Sequence, residues 1–323
     1  MNRLKVLQET VSSGEEAAFV ILSRLSGSKG RDVKLPRISI VQYLNTAPLV
    51  RGFTHGSLCG KYELSFTVPS QCAEALRTGA VDIAIIPAIE YQRTNGLVML
   101  PGLCIASRKT VRSLLLVSKV PLARVKRIAL DRSSRSTQAL TRILCQKHWG
   151  IAPEFFEAEP DLSAMLARAD AALLIGDPAL RLALGDAAEL EKIGSKLQVY
   201  DIVEQWRAMT NLPAVLAIWA GRPEAITEEV TEDFQASLAF GMQHLDEISA
   251  EAAQDMKLPA LELKRYLADN IHFRLDGENL RGLRRYFDLA AELGLIDGAK
   301  EIVMAGEQLA SEAHAELSAS RHR

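Results

Sequence analysis

A predicted strand runs directly into a polar turn in the stretch Ile38-Ser39-Ile40-Val41-Gln42-Tyr43-Leu44-Asn45-Thr46-Ala47-Pro48-Leu49. Its first half alternates β-branched residues, which is typical of a strand. The Asn-Thr-Ala-Pro sequence that follows cannot continue a strand and favours a turn or a helix start. We therefore expect a buried strand to carry Asn45 and Thr46 to the carboxyl edge of a sheet, where ligands bind in open α/β folds. The alternative is that both side chains simply cap the next helix.

The same strand-to-helix rhythm continues along the chain. Further strands are expected at 63–68, 81–86, 98–107, 111–118, 125–130, 154–156, 171–175 and 214–220. Two of them, Val81–Ile86 and Ala171–Ile175, are continuous apolar runs that each end in a proline-bearing turn. Strands that are apolar on both faces are typical of a parallel sheet with helices on either side. From Pro223 onward the pattern predicts helices.

The pattern predicts two α/β lobes, because a second strand-and-helix series is inserted before the chain returns with a strand and long helices. We expect an N-terminal extension over 1–35, lobe I over 36–119 and 214–323, and lobe II over 120–213. The extension contains a predicted helix around 13–25 and a linker-like Ser-Gly-Ser-Lys-Gly sequence. Two lobes whose strand ends face one cleft are the layout of a hinged binding protein.

Composition excludes several classes of function. The 323 residues carry a formal net charge of −2, which indicates neither a nucleic-acid partner nor an anionic membrane partner. No apolar run is long enough for a membrane span. The short apolar run at 17–22 follows Glu15 and Glu16, which is unlike an export signal. We therefore expect the protein in the cytoplasm, with no membrane partner.

The residues of common catalytic and metal sites are present but badly spaced. The four cysteines lie far apart without a C-x-x-C pair, and the six histidines show no metal-binding spacing. There is no glycine-rich phosphate loop, no nucleophile elbow and no evident Ser–His–Asp set. We expect buried reduced thiols, no metal, no cofactor and no obligatory protein partner.

Small hydroxyl and amide side chains recur instead at predicted helix starts. Free backbone N–H groups and the helix dipole favour carboxylates at such places. Because the helix starts come from both lobes, they suggest an anionic ligand clamped between them. Ser70 is the predicted N-cap of its helix, and the alternative for the Ser-Ser-Arg-Ser-Thr run is a solvated loop with an N-cap. The residues concerned are Asn45, Thr46, Ser70, Ser133, Ser134, Ser136 and Thr137.

Five segments, in order along the chain, carry motifs of a known family: Tyr43–Leu49, Gly79–Tyr91, Ser113–Lys119, Ile128–Thr137 and Ala172–Leu180. They resemble the chorismate dehydratases of the futalosine route to menaquinone. Trp206–Trp219 and Tyr266–Ile296 also look like this family, so that the resemblance spans about residues 36 to 297. It implies a type II periplasmic-binding-protein fold without an export signal. It also implies a lyase that removes water from chorismate and gives 3-[(1-carboxyvinyl)oxy]benzoate.

The resemblance also implies roles for single residues. Asn45 and Ser113 match the positions proposed to matter most for catalysis. Ser136 and Thr137 match a helix-start pair that is expected to hold a carboxylate. Ala88 departs from the family's Pro-Ser-Ile-Glu-Tyr form, where a serine is expected, so a contact there would come from the backbone.

The remaining site residues are expected from their places at strand ends and helix starts. Thr46 and Ser70 are expected to bind substrate with the residues above. Asp177 lies at the matching strand end of the other lobe, where it either contacts the ligand or caps the turn before Pro178.

The family's proposed base is the substrate's own enolpyruvyl carboxylate, so the protein needs positioning and charge stabilisation rather than a strong base. Our hypothesis is that Asn45 orients the enolpyruvyl group or the departing hydroxyl, and that Ser113 hydrogen-bonds the ring or its carboxylate. One alternative is a small-carboxylate-binding protein of the same fold without catalysis. Another is the sister enzyme 1,4-dihydroxy-6-naphthoate synthase, whose family lacks the Tyr-Leu-Asn-Thr-Ala-Pro-Leu form.

Overall fold

Two mixed β-sheets form the centres of two lobes in the computed structural model, which describes residues 35–185 and 197–306. The predicted helix around 13–25 and the linker after it lie outside the described residues. The strands, in chain order, are β1 (Arg37–Val41), β2 (Glu63–Thr67), β3 (Ile83–Pro87), β4 (Val98–Ser107), β5 (Leu114–Ser118), β6 (Arg127–Asp131), β7 (Glu154–Ala158), β8 (Ala171–Ile175), β9 (Gln198–Asp201), β10 (Ala214–Gly221) and β11 (His272–Arg274).

The α-helices are α1 (Ala47–His55), α2 (Pro69–Arg77), α3 (Ala88–Arg93), α4 (Arg135–Lys147), α5 (Leu162–Arg168), α6 (Gly176–Leu184), α7 (Ile202–Thr210), α8 (Glu228–Gln243), α9 (Leu245–Met256), α10 (Ala260–Arg265) and α11 (Gly277–Glu292). A 3₁₀ turn at Leu44–Thr46 and a π-helical turn at Tyr266–Asn270 adjoin the site described below. Among the described helices, none is long and apolar enough to cross a membrane.

Each sheet combines parallel and antiparallel strands. The six-stranded sheet has the order β11-β4-β10-β3-β1-β2, and the five-stranded sheet has the order β7-β6-β8-β5-β9. β1 is parallel to β2 and β3, whereas β10 lies antiparallel between β3 and β4. The expected parallel pairing therefore holds for only part of each sheet. Apolar runs report burial on both faces, but they do not report the direction in which a strand enters the sheet.

Strand β5 does not belong to the first sheet, where the sequence analysis placed it. It pairs with β8 and β9 in the second sheet, so the chain changes sheets between Ser107 and Leu114. We therefore propose the lobe boundary at this crossover rather than at residue 119. Alternation within a strand does not tell which sheet the strand joins, because that depends on contacts distant in sequence.

The C-terminal segment is not wholly helical. β11 pairs with β4 at the edge of the first sheet, and the π-helical turn lies just before it. β9 also extends the second sheet beyond the strands predicted from sequence. Both strands are short edge strands, which carry little periodic signal.

Helices α1 and α8 of the first lobe pack in direct backbone contact. A Cβ atom added to Gly241 would lie 2.0 Å from the carbonyl oxygen of Pro48. The buried Ser237 hydroxyl joins the same helices, because it donates to the Leu49 carbonyl at 2.8 Å and accepts from the Gly52 N–H at 3.1 Å. This packing holds α1, and with it the polar turn that precedes α1, against the body of the lobe.

Replacement of Gly241 by alanine tests this packing. We expect Gly241→Ala to lower the free energy of unfolding by roughly 2–3 kcal/mol, because the new methyl group meets backbone and cannot be accommodated by a rotamer change. Chemical denaturation measures the loss. Gly277→Ala is the matched control, since that helical glycine has open space around it and alanine is the better helix former. Equal stabilities of the two variants would contradict the close contact.

Candidate active site

The carboxyl ends of strands from both sheets meet at a cavity of about 60 Å³. Val41, Pro87 and Ile175 line it, and they are the last residues of β1, β3 and β8. Ligands bind at this edge in open α/β folds. Much of the wall is apolar, and its polar side chains are those of Tyr43, Asn45, Ser134, Ser136 and Thr137.

Asn45 and Thr46 lie on the 3₁₀ turn that follows β1, and both are buried. Thr46 occupies the N-cap position of α1, but its side chain makes no capping hydrogen bond. Its hydroxyl instead donates to the Asn45 side-chain oxygen at 3.4 Å. The Asn45 side chain lines the cavity. The alternative that these two side chains simply cap α1 is therefore not what the structure shows.

The segment before Ser113 has a strained backbone that one carboxylate holds in place. Arg112 has a φ of 61°, a conformation that costs a non-glycine residue free energy. Asp201 Oδ2 accepts from the backbone N–H groups of Val111 at 2.9 Å and Arg112 at 2.7 Å. Its Oδ1 accepts from two further N–H groups at the start of α7. Burial raises the pKa of Asp201, and these four N–H groups lower it.

Ser113 itself is fully buried and is held at both its backbone and its side chain. Its carbonyl accepts from the Gly176 N–H of the second lobe at 2.8 Å. The Tyr266 hydroxyl donates to Ser113 Oγ at 2.9 Å. The Asn45 side chain interacts with the same Tyr266 hydroxyl. Asn45 and Ser113, which are distant in sequence, therefore meet at one tyrosine beside the cavity.

Tyr266 is a residue that the sequence patterns did not single out. It opens the π-helical turn Tyr266–Asn270 and is 1% exposed. Burial raises its pKa above the ordinary value, which its hydrogen bonds with Ser113 and Asn45 oppose, so the hydroxyl stays protonated at neutral pH. π-helical turns occur frequently at functional sites. The only signal in the sequence was the family-like segment that begins at this residue.

Helix α4 points its N-terminus at the cavity from the second lobe. Ser134 is at its N-cap position, and Ser136 and Thr137 lie in its first turn. Ser136 Oγ accepts from the Ile89 N–H of the first lobe at 3.1 Å, and its carbonyl accepts from the Tyr286 hydroxyl at 2.9 Å. The unpaired N–H groups of a helix start favour an anion here.

The two lobes touch directly around this cavity. The Leu44 N–H of the first lobe donates to Asp177 Oδ1 of the second lobe at 3.0 Å. The Tyr43 hydroxyl lies 3.4 Å from Ser133 Oγ, and its ring packs on Gly176, where an added Cβ would lie 2.6 Å from a ring carbon. Burial raises the pKa of Tyr43 to about 12. Asp177 is therefore a contact between the lobes rather than only a cap for its own turn.

Ser70 and Ala88 are two further predicted site residues. Helix α2 begins at Pro69 with Val68 at its N-cap position, so the prediction that Ser70 caps the helix was wrong. Proline suits the first helical position because its missing N–H has no partner there. Pro69, rather than Ser70, lines the cavity. Ala88 is buried at the start of α3, next to the Ile89 N–H that reaches Ser136.

Most of the chain matches a known protein family. A family model described as menaquinone biosynthesis matches residues 36–292. The chain belongs to this family. A chorismate dehydratase of Thermus thermophilus is 27% identical over 271 residues, which cover 80% of this chain and 95% of that protein. The resemblance seen in the sequence motifs is thereby confirmed.

Solved structures with less sequence similarity share the fold. A protein of Archaeoglobus fulgidus aligns with a TM-score of 0.65 at 20% identity, over 82% of this chain and all of that one. The alkanesulfonate-binding protein of Xanthomonas axonopodis pv. citri aligns with a TM-score of 0.60 at 15% identity, over 86% of this chain and 98% of that one. These similarities confirm the predicted two-lobed, periplasmic-binding-protein-like fold.

Replacement of Asp201 by alanine tests how much its carboxylate stabilises the crossover between the two sheets. We expect Asp201→Ala to lower the free energy of unfolding by roughly 2–4 kcal/mol, because four backbone N–H groups lose their acceptor. Asp161→Ala is the matched control, since Asp161 caps α5 through one N–H and should cost about 1 kcal/mol. Urea denaturation measures both variants. If the two losses were equal, the bonds to Val111 and Arg112 would contribute nothing.

Proposed function

We propose that the protein is a chorismate dehydratase, a lyase of menaquinone biosynthesis by the futalosine route. The main support is the convergence of Asn45 with the N-terminus of α4 across one cavity, in a chain of this family. The relative that is named a chorismate dehydratase matches over nearly its whole length. We expect the enzyme to act in the cytoplasm on chorismate alone, without a cofactor.

The chemistry of chorismate suits a site made of dipoles and hydroxyl groups. The substrate carries two carboxylates, and the start of α4 offers N–H groups and the Ser136 and Thr137 side chains for one of them. Dehydration takes the ring proton beside the ether oxygen and the hydroxyl of the neighbouring carbon. These leave as water, and the ring becomes aromatic. The aromatic product supplies driving force, so the protein has mainly to orient the substrate and stabilise charge.

We assign the proton abstraction to the substrate's enolpyruvyl carboxylate. In this proposal Asn45 holds the enolpyruvyl group or the departing hydroxyl, since its amide lines the cavity beside Thr46. Ser113 donates a hydrogen bond to the ring or its carboxylate. The backbone N–H of Ile89, next to Ala88, and the carboxylate of Asp177 join the lobes beside the cleft, where we expect the Ala88 backbone to contact the substrate.

The lobes have to separate for the substrate to enter. A volume of about 60 Å³ is far below the roughly 300–1,000 Å³ of ordinary ligand sites. Hinged two-lobed proteins open by rotation at the connecting segments. In this chain such an opening breaks the contacts of Leu44 with Asp177 and of Ile89 with Ser136. Both contacts are single hydrogen bonds, with a net contribution of about 1 kcal/mol for Ile89 with Ser136 and roughly 1.5–3 kcal/mol for Leu44 with the Asp177 carboxylate.

Conversion of chorismate by the purified protein is the decisive measurement. We expect loss of chorismate and growth of an aromatic product, followed by ultraviolet absorbance and mass spectrometry. Asn45→Ala and Ser113→Ala should each lower turnover by roughly tenfold or more, in the range of lost transition-state contacts. Wild-type turnover in either variant would refute the role assigned to that residue.

Two substitutions away from the site serve as controls. His148→Ala changes an exposed side chain, and Cys145→Ala changes a buried thiol near the C-terminal end of α4. Both should keep turnover close to that of the unaltered protein. If the protein binds chorismate without forming product, the non-catalytic carboxylate-binding protein is the better description. A product from a different menaquinone precursor, with chorismate untouched, would favour the sister enzyme.

A further inference from the structure

We propose that Tyr266 is a positioning residue that fixes the orientation of the Ser113 hydroxyl. The inference rests on the proposed dehydratase activity and extends it to a residue outside the predicted site. Tyr266 lies in the first lobe's C-terminal part, about 150 residues after Ser113. Its hydroxyl is nevertheless within hydrogen-bonding distance of that serine.

The proposal rests on the direction of the hydrogen bond between Tyr266 and Ser113. Tyr266 donates its only hydroxyl proton to Ser113 Oγ, at an oxygen–oxygen distance of 2.9 Å. A serine hydroxyl has one proton and two acceptor lone pairs. Because one lone pair of Ser113 is occupied by Tyr266, rotation of the serine hydroxyl is restricted and its proton is directed away from the tyrosine. In the opened cleft, a substrate oxygen then accepts a hydrogen bond from a Ser113 hydroxyl that is already oriented.

The π-helical turn forms hydrogen bonds with the crossover between the lobes at two points. Tyr266, its first residue, holds Ser113, and Asn270, its last residue, donates from its amide to the Thr110 carbonyl at 3.0 Å and hydroxyl at 3.1 Å. Asp201 holds the intervening residues Val111 and Arg112 from the other side. The crossover is thereby fixed from both lobes, and Tyr266 makes the one contact that reaches a proposed catalytic side chain.

Asn45 extends the same set towards the cavity. Its side chain lines the cavity and is among the groups that lower the pKa of Tyr266, whereas Ser113 and Tyr266 are buried at 0% and 1% exposure. Low exposure keeps water from competing for these hydroxyl groups. Oriented donors in such a place stabilise developing charge without reorganisation at the moment of reaction. Tyr266 acts on the substrate only through Ser113.

A double-mutant cycle on the full-length protein tests this assignment with chorismate as substrate. Tyr266→Phe keeps the ring and removes the hydroxyl, and kcat should fall roughly tenfold with a smaller change in KM. In a Ser113→Ala background the same substitution should have little further effect, because the group through which Tyr266 acts is absent. Independent losses that multiply in the double variant would overturn the proposal. So would an unaltered kcat in Tyr266→Phe.

Tyr91→Phe is the matched control for the loss of a buried tyrosine hydroxyl. Tyr91 is 2% exposed, and its hydroxyl bonds the backbone of Glu301 and Val303 away from the cavity. We expect a comparable change in the thermal midpoint and an unaltered kcat. An equal fall of kcat in both variants would show that Tyr266 contributes only to stability, and would overturn the proposal.

A second variant covers the case in which Tyr266→Phe does not fold. Site-specific incorporation of a tetrafluorinated tyrosine at position 266 keeps the shape and the hydroxyl. It makes that hydroxyl far more acidic, so that it can ionise in the accessible pH range despite the burial that raises its pKa. We expect kcat to decline at lower pH than in the unaltered enzyme, because the ionised oxygen no longer donates to Ser113. An unchanged pH profile would overturn the proposal. Failure of the unaltered protein to convert chorismate would refute the proposed function instead, so the two failures are distinguishable.

Discussion

The left-handed backbone at Arg112, held by the Asp201 carboxylate, is the constraint on which the site depends. Such a conformation costs a non-glycine residue roughly 1–3 kcal/mol and persists only where the surroundings over-determine it. Four N–H groups converge on one carboxylate, two from the crossover and two from the start of α7. The strained backbone of Arg112 and the hydrogen bonds that compensate for the strain lie one residue before Ser113. The backbone that carries this serine therefore has a single orientation.

The polar groups around the cavity act through fixed dipoles rather than through charge. Asn45 contributes an amide, and α4 contributes its N-terminus with Ser136 and Thr137. Dipoles that are already oriented stabilise an anionic ligand without the large desolvation penalty of a buried cation. The buried Glu90 in the same region is paired with Arg93 and Arg135, so its charge is compensated. The pair with Arg135 also joins α3 to α4 across the lobes.

The sequence was most informative about strands and their polar ends. β4 and β8 begin and end at the predicted residues, because their apolar runs are sharply bounded. The sheet order was not predictable in the same way. β5 has a strand pattern that suits either sheet, and its place in the second sheet follows from pairing with β8 and β9. The short edge strand β11 was not predicted either, because its pairing with β4 joins residues that are distant in sequence.

By itself the sequence determined that a buried strand is followed by a polar turn with Asn45 and Thr46, and that a hydroxyl-rich segment starts a helix near Ser136. Those features follow from local periodicity and turn chemistry, which act over a few residues. Only the tertiary structure decided that Tyr266 reaches Ser113, and that Asp177 reaches the backbone of Leu44. Contacts of this kind depend on how two lobes and a crossover pack together. No pattern within either segment specifies that packing.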